Sequence, residues 1–547
     1  MYNLDSLSLK YLINENKNFL NGAVVQKIQM PSKREILLSM RNLGENRKFY
    51  INVNPKFPHL NFIENKENYF LKIPKEPPMF CMLLRKHLEG AKLKDVRVVQ
   101  YERIVEFYFD IYDEIGFLTP MCLAIELMGK HSNAILYNAQ NKIITGSIHN
   151  ISQQKSSVRE VWGGINYIYP PKQDKKDILK TSISEFYTLS PDEISSKYYY
   201  LSYGVLDFAI DKNKEKQELF SYLQNITGNG GDEIKAFWQK NIKDTGILPE
   251  CICNAGILPE KGLNFLIETY FSYFVMQDLM MARKSALLKT LNKEIKRQND
   301  VILNSEKKNA YISHKQKGDL ILANIYKIKT GDKKLIIDGE TIDLDPFKTP
   351  SENAQYYFNL YSKGKKAQNI LKERCDRAKE NLEYLNDIMF SIENADRPDI
   401  LDEIKEELGE FLNSFDALNI KNVKTIQKGK EKGKPDITTL EYQGFIIYVG
   451  KNNKQNDYLI KKISGPEDIW LHGKDCPSGH IFIKTENGKK PVNDEVLLYA
   501  AQIAKQNSPM KNSAKASIIY TKRKFIKRPP DTHPGYVTYR EEREIVV

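Results

Sequence analysis

Asp468-Ile469-Trp470-Leu471-His472, then Pro477-Ser478-Gly479-His480, then Tyr520-Thr521-Lys522-Arg523-Lys524-Phe525-Ile526-Lys527-Arg528-Pro529-Pro530, decide how this chain is read. Aromatics, imidazoles and cations recur together, and the prolines and glycines between them forbid one continuous helix. Alternation predicts strands near 438–449, 480–484, 516–521 and 536–539, a basic strand over 520–530 and a helix over 493–506, so residues 438–547 read as an α+β domain. Flat rings stack on bases and cations neutralise phosphates. Trp470, His472, His480, Lys522, Arg523, Lys524, Lys527 and Arg528 are therefore the candidate RNA contacts. The plainer reading is a solvated edge strand whose lysines blunt aggregation.

His472, Cys476 and His480 also carry an H-x3-C-x3-H spacing, with Asp475 as a conceivable fourth ligand. The Pro477-Ser478-Gly479 turn denies these residues a shared helix, so loop histidines serving RNA contact or packing are the preferred reading and no metal or other cofactor is expected.

Working outward, charge supports a polyanionic partner. The 547 residues carry a net charge of +12, and Lys421 to Val547 holds 24 Lys and Arg against 14 Asp and Glu. Hydrophobic residues at 41% fit folded domains rather than wholesale disorder. Six scattered cysteines with no CxxC exclude a disulfide framework or zinc ribbon. A polar start and the lack of any long apolar run predict a cytoplasmic protein without a membrane span.

Residues 1–172 read as strands with a few helices, among them a short helix over Pro77–Leu88, closed by Pro170-Pro171. Residues 173–264 turn helical, broken by Gly228-Asn229-Gly230-Gly231 and by a Gly-Ile-Leu-Pro-Glu near-repeat at 246 and 256. Over 265–420, Met281, Leu288, Ile295 and Ile302 recur every seven residues with Leu291 at the alternate position. Leu371, Ala378, Leu385 and Ile392 answer them, flanked by Cys375, Leu382 and Met389. That pattern predicts an antiparallel coiled-coil arm, with a small tip domain at 314–350 containing a hairpin that turns at Asp338-Gly339. A charged linker, 421–437, precedes the last domain.

Glu126 to Asn133 packs Met128, Gly129, Lys130, His131, Ser132 and Asn133 into one turn. Hydrogen-bonding side chains on an open backbone suit unpaired bases such as an anticodon, although the same residues could simply enter a strand.

Six blocks in order carry a resemblance: Leu84–Leu88, Glu126–Asn133, Lys317–Asn324, Ser351–Gln355, Gly450–Leu459 and Trp470–His480. Together they resemble the NFACT family, whose older members are labelled fibronectin-binding proteins. The resemblance implies a glycosylase-like N-terminal α/β domain that binds tRNA, a small helical (helix-hairpin-helix-like) domain, the arm and an RNA-binding C-terminal domain, hence an α+β multidomain chain. It implies a ribosome-associated quality-control factor that binds stalled large subunits carrying nascent-chain peptidyl-tRNA. There it would recruit charged tRNA, alanine tRNA foremost, for template-free tailing of the nascent chain. Asp5 and the pair Glu102-Arg103 fall where the family contacts tRNA; Glu102 replaces the family's Asp, one methylene longer. Lys451, Asn452 and Asn453 join the RNA contacts on the same ground. Further partners so implied are ribosomal RNA and a stalk-base protein, with the chain acting as a monomer and the ribosome doing the chemistry.

Two other readings stay open. A nucleic-acid enzyme related to formamidopyrimidine DNA glycosylases would want an N-terminal proline and a zinc finger; residue 2 is Tyr2 and the cysteines are scattered. A cell-surface adhesin is the reading carried by the older label, and it would need an export route the sequence does not display.

Overall fold

The computed structural model describes every residue except 1, 113–115, 117, 155, 248–260, 306–310, 338, 420–434 and 531. Most of the Gly-Ile-Leu-Pro-Glu near-repeat, most of the charged linker and Asp338 lie outside the described residues. The chain divides into two compact units, Met1–Asp278 and Leu279–Val547. It is a mixed α+β structure with large antiparallel sheets.

The first unit opens with helix α1 (Ser6–Leu20), whose N-cap is Asp5. Nine strands follow: β1 (Val24–Gln29), β2 (Glu35–Asn42), β3 (Glu45–Asn52), β4 (His59–Phe62), β5 (Lys92–Val98), β6 (Ile104–Asp110), β7 (Met121–Glu126), β8 (Asn133–Asn138) and β9 (Ile144–Ser147). They form one antiparallel sheet in the order β4-β3-β2-β1-β5-β6-β7-β8-β9. The chain meanders outward from β1, returns through helix α2 (Met79–Leu88), and meanders out again on the other side.

Period-two alternation separates the sheet's faces. Phe107, Phe109, Leu123 and Ile125 enter the core that α1 covers, whereas Cys122, Ala124 and Ile135 enter a second cluster with Tyr137 and Tyr167. The helices of the following segment, from Ile183–Tyr187 to Gly231–Asp244, share the α1 core through residues such as Phe186, Leu223 and Trp238. One of them, Pro191–Lys197, starts with a complete capping box of Ser190 and Glu193 and a proline in its first turn.

The second unit contains most of helix Leu263–Ser305 and the helix Pro350–Asn394, which begins with a Thr349–Glu352 capping box. They run antiparallel: Lys284 donates to the Glu393 carbonyl (2.7 Å), and Asn381 donates to Gln298 (3.4 Å). The buried line of the first helix differs from the sequence reading. It passes through Met280, Leu287, Leu291, Glu294 and Gln298, while Met281 is 63% exposed. The seam sits one residue earlier than the apolar heptad suggested, because two of its positions are polar. Between these helices, Ile312–Ala323 packs on Pro350–Asn394, and Lys334–Ile337 pairs with Glu340–Asp343 around Gly339 at φ +83°. Helix Pro398–Asn419 follows.

The C-terminal sheet has the strand order Thr438–Tyr442, Phe445–Val449, Ile481–Ile483, Ile469–Gly473, Ser517–Lys522 and Arg543–Val546. Leu471, Ile483 and Ile518 face helix Asp494–Gln506; Trp470, Phe482 and Ile519 face the opposite way. Two corrections follow. His472, expected in a loop, stands with Trp470 on a central strand. The basic run is no single strand: after Lys522 it turns through Arg523–Phe525 and resumes only as Ile526–Lys527. Among the described residues no helix is long and apolar enough to cross a membrane.

Candidate nucleic-acid interfaces

In the first unit the β5–β6 hairpin loop, the N-cap of α1 and the segment from Ser195 to Gly204 enclose a cavity of about 580 Å³. Arg103 stands on its wall just before β6. Its guanidinium makes no hydrogen bond or ion pair among the described residues, Glu102 included. Burial lowers the pKa of Arg103 from its usual value, while the nearby carboxylates of Asp5 and Glu102 oppose that shift. Asp5 is itself committed: one oxygen accepts from the Ser8 amide (2.7 Å) and the other from the Ser202 hydroxyl (2.9 Å). Burial raises its pKa against those bonds. Glu102, also shifted upward by burial, lies beside Arg103 but does not line the cavity.

Sequence reasoning missed the aromatic half of this cleft. Tyr101 stacks on Tyr199 with centroids 4.1 Å apart, and its hydroxyl donates to Asp177 (2.8 Å). Burial, followed by that bond, pushes the Tyr101 hydroxyl up to about 12. Tyr2, Tyr200 and Tyr203 add further rings, and Lys175 a second cation. Tyr101 (φ 69°) and Tyr200 (φ 68°) both occupy the left-handed region, where a bulky residue costs on the order of 1–3 kcal/mol. The only sequence signal was the tyrosine run at 198–203, about a hundred residues from Arg103. A free guanidinium among rings suits a phosphate joined to a base.

The turn at 126–133 splits in two. Glu126 is fully buried at the end of β7, on the face of the Tyr137–Tyr167 cluster. Both its oxygens accept from Arg159, and Tyr167 donates to it as well (2.9 Å). Asn133 is consumed by the His149 backbone, and Ser132 is buried. Met128, Gly129, Lys130 and His131 remain outside, carried on a turn with Gly129 at φ +58°.

The C-terminal candidates divide similarly. Trp470 and His480 are buried, and His472 is half-buried against them, with imidazole centroids 5.2 Å apart. Burial lowers His472 to about 4 and His480 well below its usual value, so both are neutral at physiological pH and neutralise no phosphate. Gly479, where a Cβ would collide with the Gly450 carbonyl, lets the two loops touch. Among the described residues no group of three or more His, Cys, Asp or Glu is placed to hold a metal.

Lys451, Asn452 and Asn453 turn toward helix Pro398–Asn419. Lys451 pairs with Asp396, while Asn452 donates to Glu403 (2.7 Å) and Asn453 to Glu407 (3.0 Å). Burial raises the Glu407 carboxyl to about 7, opposed by bonds from Tyr384 and Asn453. A raised carboxyl contributes stability that is present below the free value of 4.5 and is lost as pH rises through 7. Glu407→Gln keeps both accepted bonds on Oε1 and removes that loss. It should exceed the parent at pH 8 by up to about 3 kcal/mol and match it near pH 5, read from urea midpoints. Equal midpoint differences at both pH values would place the titration elsewhere.

The outer surface keeps the basic run. Lys522 and Lys524 both reach Glu467 at 2.9 Å, and Arg528 reaches Asp457 at 2.6 Å. Arg523 donates to the Ile460 and Ile526 carbonyls. Lys527 is exposed, and its ammonium makes no bond among the described residues. Exposed ion pairs of this kind contribute little, so the lysines can exchange Glu467 for phosphate.

Residues 5–200 and 210–422 match the model of the NFACT N-terminal and middle domains, and residues 437–541 that of the NFACT protein RNA binding domain. The chain belongs to the NFACT family. Among its NFACT relatives, "Rqc2 homolog RqcH" of Bacillus subtilis is 30% identical over 98% of this chain and 96% of its own. The Streptococcus suis protein of that name is 28% identical over 99% and 97%. A solved structure, the N-terminal part of the fibronectin/fibrinogen-binding protein of Streptococcus suis, is 27% identical, covers 40% of this NFACT chain and 83% of its own, and has a TM-score of 0.36.

Proposed function

We propose that this chain is a non-enzymatic adaptor of ribosome-associated quality control, acting in the cytoplasm as a monomer on the large subunit. It binds subunits blocked by peptidyl-tRNA and recruits charged alanine tRNA for template-free extension of the nascent chain. The observation that carries this reading is the unpaired Arg103 guanidinium inside a tyrosine-lined cleft on an NFACT chain. A phosphate there would accept the hydrogen bonds that the Arg103 guanidinium gives to no described residue, and a base would stack on an exposed ring. The Met128–His131 turn offers backbone and two polar side chains to unpaired bases. At the other end, Lys522, Lys524 and Lys527 grip ribosomal RNA without base selectivity, and the arm supplies the contact to a stalk-base protein. No step needs a catalytic residue here, because the ribosome forms the peptide bond.

The test is to isolate the protein from cells at low salt and sequence what accompanies it. Co-sedimentation with large subunits, release by high salt and enrichment of alanine tRNA over other tRNAs are expected. Sedimentation away from subunits, or a tRNA profile equal to the cellular pool, would overturn the proposal.

A further inference from the structure

The second unit contains a cavity of about 960 Å³ between helix Pro350–Asn394 and the end of strand Ile469–Gly473, unused by the phosphate-binding surface. Trp470 Nε1 and His480 Nδ1 are buried there with no hydrogen-bond partner, on residues 0% and 2% exposed. Native structures leave few such atoms unmatched, so two on one cavity wall call for a ligand that supplies their partners. The opposite wall presents Asp387, whose pKa burial raises to about 6, helped by its like-charged neighbour Glu383. Lys451 also lines the space but is already paired with Asp396. The wall's free charge is thus acidic, and a phosphate is excluded.

We propose that this cavity receives one unpaired guanine base extruded from the RNA that the chain binds, an inference that rests on the RNA-binding reading above. The indole N–H can only donate, so the occupant must carry an acceptor; O6 and N7 of guanine serve. The carboxylate can only accept, and the adjacent N1–H and N2–H₂ groups of guanine offer it two parallel donors. A lysine or arginine side chain would satisfy Asp387 and leave the indole N–H without an acceptor. The space lies within the range of small-ligand sites. Tyr536, 54% exposed on the same wall, offers a face for stacking.

Guanosine, which has no phosphate, is titrated calorimetrically into the full chain, beside adenosine, uridine and a short arginine-lysine peptide. Saturable binding of guanosine is expected, at least tenfold tighter than of the other three. Trp470→Phe keeps an aromatic ring, though a smaller one, and removes the N–H; Asp387→Asn removes the charge. Each should weaken guanosine at least tenfold while the thermal midpoint of Asp387→Asn stays at or above the parent's. Absence of guanosine binding, equal binding of adenosine, or preference for the peptide would overturn the proposal. Sedimentation with large subunits is followed in parallel. A chain that sediments but takes no guanosine refutes the base pocket alone. A chain that takes guanosine but never sediments refutes the adaptor reading instead.

Discussion

Arg103→Ala should abolish tRNA recruitment while leaving the fold intact. The side chain makes no hydrogen bond or ion pair among the described residues, so its removal leaves no hydrogen-bonding partner unmatched, and the loss of its charge near Asp5 is offset by relief of a charge held against its preference for water. The thermal midpoint should therefore move by no more than about 1–2 °C, the range of a change well under 1 kcal/mol in a unit of this size. Recruitment is a different matter. Charge-assisted hydrogen bonds from a guanidinium to phosphate contribute about 1.5–3 kcal/mol, or roughly ten- to a hundredfold in affinity. Arg103→Lys, which retains the charge without the fork, should recover part of that loss. The readout is tRNA recovered per large subunit; wild-type recovery with Arg103→Ala would remove Arg103 from the tRNA site.

Arg159→Ala should be the most damaging single change to the first unit. Among the described residues it leaves Glu126, 0% exposed, with only the Tyr167 hydroxyl as partner. Breaking a buried pair in this way costs about 3–5 kcal/mol, because the remaining charge has neither water nor a counterion. At a few degrees per kcal/mol, that is a fall of roughly 10 °C in midpoint. A matched double substitution, Glu126→Gln with Arg159→Met, removes both charges and should recover much of the loss. A loss below 1 kcal/mol for Arg159→Ala would show that the pair does not hold this corner. The same arithmetic warns against Glu126→Ala as a probe of RNA binding, since it strands Arg159 instead.

The division of the sequence into a strand-rich start, a helical segment, two long helices and an α+β end follows from periodicity, and periodicity survives in the structure wherever one face is buried. It misled where buried positions were polar. The heptad reading chose Met281, Leu288 and Ile295 because they are apolar, yet the seam accepts Glu294 and Gln298, which bond each other at 2.6 Å. The continuous basic strand failed at Arg523, whose side chain is drawn to the Ile460 carbonyl and turns the chain. The site was legible only as residue types. Arg103, Lys130 and Lys522 remain accessible, but Glu126, Asn133, Asn452 and Asn453 turned inward, since nothing local distinguishes a polar side chain that meets RNA from one that meets a neighbouring strand. The tyrosines facing Arg103 stood in the sequence without a link to it, because the fold is what brings positions 101 and 199 together.

The polar pair on the arm has a mechanical consequence. Helix Pro350–Asn394 has 45 residues, roughly 70 Å at 1.5 Å per residue. Two long helices joined by purely apolar contacts could slide past one another by a heptad at modest cost. Gln298, oriented by Glu294 one turn earlier on its own helix, would lose Asn381 of the facing helix in any such slip. Between the Lys284–Glu393 and Gln298–Asn381 contacts the two helices are thus held at one offset, like the halves of a locked ruler.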